Sequence, residues 1–151
     1  MNSFLIFTLV AHIILGLIAI AALYAVWMGL LKKRLAARFL AWSAWISAIS
    51  FFLSWLSGGY YYVVHYGKAV KPLIKAGPYP WAHTVVMEAK EHIFLFLPFC
   101  ALVIALAISF LGPKIEEYPV IRRALAFLTG IAVFVGIAIT LSGVLISGAA
   151  R

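Results

Sequence analysis

Four long apolar stretches, at about residues 4–31, 39–62, 83–111 and 124–146, leave this chain few ways to fold. Each exceeds the roughly 18–20 residues a helix needs to cross the ~30 Å hydrocarbon core of a bilayer. The expected fold is an all-α integral membrane protein: a four-transmembrane-helix antiparallel bundle forming a single domain over residues 1–151. The chain is 66% hydrophobic and only 11% charged, which agrees with that class. The first stretch has no basic segment before it and is too long for a signal-peptide core, so it reads as a retained helix.

Charge placement supplies the orientation. The first and third links carry seven basic residues: Lys32, Lys33, Arg34 and Arg38, then Lys114, Arg122 and Arg123. The second link has Lys68, Lys71 and Lys75, with Lys90 inside the third stretch. An excess of basic residues marks the cytoplasmic side, so both termini are expected outside, on the periplasmic face of a bacterial or archaeal cytoplasmic membrane. The formal charge of +8 is thereby explained by orientation and is no sign of nucleic-acid binding. The lone Cys100, mid-span among apolar neighbours, reads as inert, and without a CxxCH sequence covalent c-type haem is excluded.

The second link, Tyr66 to Ala82, spaces its three lysines as a short surface helix before Gly77-Pro78-Tyr79-Pro80 breaks it. Its aromatic residues read as an interfacial belt, and its lysines offer a docking surface for an acidic soluble redox protein. Small residues recur every 3.5 positions in two spans: Ser43, Ser47, Ser50, Ser54 and Ser57 in the second, and Thr129, Val133, Gly136, Thr140, Gly143 and Ser147 in the fourth. Close helix contact explains both stripes, and so does room for a flat cofactor. Continued through Tyr61, the first stripe brings His65 to face the bundle at its outer mouth.

Ionisable groups in a bilayer are costly, at roughly 2.5–3.5 kcal/mol each on insertion scales, and are kept mainly where they bind or transfer something. His12 lies nine residues after Ser3 and His92 nine after His83, each about 14 Å from its outer helix end. The two helices run in the same direction, so two imidazoles at one depth suit the axial positions of a haem b iron. Gly16 leaves space beside His12, and Thr8 is placed to accept a hydrogen bond from it. Glu88 and His92 share a face at i, i+4, while His83, Met87 and Lys90 form a stripe on the far side. Glu88 and Glu91 are the candidate proton acceptors. His65 and His83 reach toward the outer surface, where with His12 and His92 they are candidate metal ligands.

The whole-chain architecture is similar to that of small four-helix b-type cytochromes of bacterial membranes, although no motif carries residues across. The leading expectation is therefore a small membrane b-type cytochrome, with His12 and His92 as haem ligands, passing electrons between a membrane quinol and an outer-side acceptor. Two rival readings remain. One is a copper, iron or zinc site built from His12, Glu88, His92 and His65, since imidazole suits all three metals. The other is a non-catalytic accessory subunit of a larger membrane complex, packed through its small-residue stripes, with the histidines as packing elements and Lys90 and Glu91 as interfacial ions.

Overall fold

The computed structural model describes residues 2–32 and 36–151, so Lys33 and Arg34 of the first basic link lie outside the described residues. Helix α1 (Ser3–Leu31) starts at Asn2, whose side chain accepts a hydrogen bond from the Leu5 amide at 2.9 Å and so caps the helix. Helix α2 (Ala37–Tyr61) runs without a break through wide, π-type turns at Tyr62–Val70 into the short α3 (Lys71–Ala76). After Gly77 to Pro80 the chain returns through a second π-type stretch, Ala82–Met87, into α4 (Glu88–Phe94) and α5 (Phe96–Leu111). A 3-10 segment, Gly112–Glu117, leads to α6 (Pro119–Ala149). No strand occurs among the described residues.

Local sequence accounts for the interruptions. Pro98 has no amide hydrogen and crowds the carbonyl four residues earlier, which is that of Phe94, and the helix breaks at Leu95. Pro72 likewise cannot bond back into the π-type stretch before it. Gly112 turns the chain at φ +51, the only positive φ among the described residues.

The four helical stretches Ser3–Leu31, Ala37–Ala76, Ala82–Glu117 and Pro119–Ala149 are long and apolar enough to cross a membrane. The second extends further than the apolar run at 39–62 because the lysine-bearing link folds as a continuation of α2, the third continues past 111 into the 3-10 segment Gly112–Glu117, and the fourth extends at both ends beyond 124–146. At about 1.5 Å per residue, even the 29 residues of α1 reach about 43 Å, well beyond a hydrocarbon core.

In the ring of helices α1 packs on α2 and α6, while α5 completes the ring between α2 and α6. Near the basic links the bundle is tightly filled by Leu23, Val26, Leu30, Leu40, Ala101, Ile104, Ile108 and Val133, all nearly or fully buried. Here the small-residue stripes permit close approach. The Ser47 hydroxyl donates to the Ala19 carbonyl at 2.9 Å, and a Cβ on Gly136 would stand 2.9 Å from Ile20 Cγ1. Arg122 donates to the carbonyls of Leu30 and Lys32, satisfying groups that the end of α1 leaves free and fastening α6 to it. At the opposite end, which holds both termini, a second cluster of Tyr66, Ile74, Ala82 and Ile146 lies under α3.

Candidate functional site

His12 is held by α2. Its Nδ1 lies 2.9 Å from the Ser54 carbonyl, and the Ser54 hydroxyl donates to the His12 carbonyl at 2.9 Å. A proton on Nδ1 satisfies the Ser54 carbonyl and leaves Nε2 as a free lone pair, with no hydrogen-bond partner among the described residues. The ring fits there because residue 58 is glycine: a Cβ at Gly58 would stand 2.4 Å from Nδ1. Phe94 meets the imidazole edge-on, with centroids 6.3 Å apart.

His12 stands where two cavities meet. One, of about 430 Å3, lies largely between α1 and α6 and is lined by Ile13, Gly16, Leu17, Thr140, Gly143 and Arg151 among others. The second, of about 560 Å3, lies toward α2 and α4 and is lined by Trp55, Gly58, Tyr62, Tyr66, Met87 and Glu91 among others. His12, Lys90, Phe94, Leu9, Gly143 and Ser147 belong to both walls. Exposed residues such as Leu17 and Val144 on the first side, and Val63 and Leu95 on the second, line the cavities, which therefore open between helices toward the surroundings of the bundle. Mostly apolar walls with a few convergent polar groups are the usual make-up of a small-molecule site.

The imidazole, the ammonium and the carboxylate come from α1 and α4, and Arg151, after the end of α6, adds a guanidinium. The Lys90 ammonium crosses the bundle to Gly143, where a Cβ would stand 3.4 Å from Nζ. Glu91 lines the second cavity, where one carboxylate oxygen, Oε1, is buried without a hydrogen-bond partner and the group lies against Tyr62. Beyond them, under α3, the Tyr66 hydroxyl is 3.1 Å from His83 Nδ1. His83 is wholly buried, and its Nε2 has no hydrogen-bond partner, with Glu88 Oε1 at 4.0 Å.

Several expected residues stand elsewhere. His92 does not face His12: it is exposed on the outer side of α4, and its Nδ1 donates to the Glu88 carbonyl at 2.7 Å. Glu88 shares that outward face, as its spacing from His92 required, and its side chain is 56% exposed. The stripe of His83, Met87 and Lys90 faces the bundle instead of the far side. His65 is half-buried against Tyr61, with centroids 5.5 Å apart, and lines neither cavity. The π-type turns explain this, because more residues per turn rotate the following positions and bring Tyr62, Tyr66 and Val70 inward. Thr8 donates to the Leu5 carbonyl at 3.0 Å, and Ser54 takes the role expected of it at His12. Cys100 is a buried free thiol. Among the described residues, no group of three His, Cys, Asp or Glu side chains is gathered to hold a metal ion.

Lys90, Ser54, Gly58, Tyr62 and Tyr66 are the site residues that the histidine-centred reading left out. A signal for Lys90 exists: positions 83, 87, 90, 94, 97, 101, 104 and 108 are spaced 4, 3, 4, 3, 4, 3, 4. That seam places Lys90 inward and His92 outward.

Fold and cavity together define a class: an all-helical protein with four helices long and apolar enough to cross a membrane and an open chamber lined by an imidazole, an ammonium, a guanidinium and a carboxylate. Comparison of the chain with protein-family models, curated proteins and solved structures found no match.

Proposed function

We propose that this chain is an integral membrane electron-transfer protein that takes quinol from the bilayer into the chamber around His12 and Lys90. One observation carries the reading: His12, Lys90 and Glu91 line a chamber that is otherwise mostly apolar and opens between helices. An amphipathic ring with two oxygen substituents needs this combination. Its ring and tail fit the apolar walls, Lys90 donates to one ring oxygen, and the free His12 Nε2 accepts from a quinol hydroxyl. Oxidation breaks two O–H bonds and releases two protons and two electrons. His12 Nε2 and Glu91 are each placed to accept one proton, and the two electrons pass to an acidic redox protein on the outer side, which the exposed Lys68 and Lys75 would attract.

The binding experiment uses decylubiquinone titrated into the protein in lipid nanodiscs, read by tryptophan fluorescence, since Trp55 lines the second cavity. Saturable quenching that weakens in His12→Ala and Lys90→Met supports the reading. Quenching that is linear with quinone, or equal in all three proteins, contradicts it. The orientation is tested separately. Cysteine at Ala76 should react with an impermeant thiol reagent added outside and cysteine at Ala36 should not, whereas the reverse pattern would place the chamber on the cytoplasmic side.

The Ser54–His12 hydrogen bond favours a second reading, in which the chamber holds haem b. A backbone carbonyl on Nδ1 is the arrangement that presents Nε2 to a metal. His12 would then be the histidine ligand, with Lys90 and Arg151 also on the chamber wall, and the haem would supply one-electron chemistry. The dithionite-reduced visible spectrum separates the readings: b-type bands lost in His12→Ala and retained in His92→Ala support haem. A colourless protein after haem reconstitution removes it.

A further inference from the structure

We propose that Glu91, Tyr62, Tyr66, His83 and Glu88 form a path along which protons move between the chamber and the water outside. The path rests on the quinol reading only for the source of its protons. Its inner end is Glu91, on the chamber wall, which Tyr62 also lines. Tyr62 stacks on Tyr66 with centroids 5.2 Å apart. Tyr66 lines the chamber and also reaches His83 Nδ1 at 3.1 Å. Across the imidazole, Nε2 is 4.0 Å from Glu88, whose side chain is more than half exposed.

Two atoms distinguish this row from ordinary packing. Glu91 Oε1 and His83 Nε2 are buried side-chain atoms without a hydrogen-bond partner. Buried polar atoms are almost always paired, and an unpaired one marks a water position or a working group. A purely structural Tyr66–His83 pair needs only Nδ1 and gives no reason for the other nitrogen to point, unpaired, toward a carboxylate. A phenol accepts one proton while donating another, and an imidazole takes a proton on one nitrogen and releases it from the other. Carboxylates close both ends. The charged groups acting on His83 are Lys71 and Lys75 of α3 and Glu88 and Glu91 of α4, while α6 contributes the apolar Ile146 to this cluster.

The test uses the full chain in nanodiscs without quinone, labelled with 15N in its histidine rings and lysine ammonium groups. Exchange with water is measured by NMR for His83 and Lys90. In the unsubstituted protein the wholly buried His83 ring N–H should exchange far faster than the buried backbone amides around it. Glu88→Gln, a change at an exposed position, should slow that exchange about tenfold or more, the scale of losing a positioned proton-transfer group. Tyr66→Phe and Glu88→Gln should both slow exchange at Lys90. A His83 ring as protected as its neighbouring amides would overturn the path, and so would Lys90 exchange that is the same in all three proteins. Failure of decylubiquinone to bind would remove the quinol reading and leave these exchange rates as they are.

Discussion

The two halves of this bundle use one pattern of small residues for opposite ends. In the half near the basic links, Thr129, Gly130 and Val133 of α6 are buried and let neighbouring helices approach closely. A Cβ added at Gly130 would stand 2.9 Å from Trp27 Nε1. In the half that holds the termini the stripe continues through Thr140, Gly143 and Ser147, but these residues line open space. The difference lies in what faces them. Trp27 fills the first half, whereas Gly16 and the extended side chain of Lys90 face the stripe across a chamber in the second. A small-residue stripe therefore does not choose between packing and a binding site, and the partner positions on the facing helices decide.

This contrast is broken or sharpened most strongly by placing the same side chain at both ends of the stripe. Gly130→Leu, beside Thr129 on the stripe, overfills the contact with Trp27 and should destabilise the protein by about 1–3 kcal/mol. Gly143→Leu should leave thermal stability nearly unchanged while abolishing saturable decylubiquinone quenching. Equal stability losses in melts of the two variants would erase the distinction between the halves. Next in size is a contrast between neighbours on α4. Lys90→Met should weaken decylubiquinone binding by about tenfold or more, equivalent to roughly 1.4 kcal/mol. His92→Ala, on the outward face, should leave binding unchanged and stability within about 0.5 kcal/mol. A large effect of His92→Ala would restore the face that the depth argument favoured.

Ser54→Ala has the smallest predicted effect. It removes a hydroxyl bonded to the His12 carbonyl but keeps the backbone carbonyl that orients the ring. A loss of about 0.5–1.5 kcal/mol in stability, with a severalfold weaker quinone titration, is expected. No change in either would show that the hydroxyl is incidental.

The four long apolar helices were legible because apolar runs of that length have few other uses, as was the end of the third at Gly112, whereas the break at Leu95 before Pro98 was not read. The face of the third span was legible in principle. Starting from the histidines hid the seam through Lys90, Phe94, Leu97 and Ala101, which alternates as regularly as the stripes of the second and fourth spans. Equal depth brought α4 to His12, but depth says nothing about rotation about the helix axis, and rotation decided between His92 and Lys90. The π-type turns at Tyr62–Val70 were not legible. No simple residue pattern marks them, and they displaced His65 in favour of Tyr62 and Tyr66. The Ser54 carbonyl on His12 was equally hidden, because any residue offers a backbone acceptor and only the packing of α1 on α2 selects one.

The most direct measurement of where a quinone binds is photo-crosslinking with an azido-quinone, followed by peptide mapping. Labelling that decylubiquinone competes away should fall in the terminal halves of α1, α4 and α6, around residues 9–17, 87–95 and 143–151. Labelling confined to the half near the basic links, or labelling that decylubiquinone does not diminish, would contradict the placement of a quinol site at His12 and Lys90.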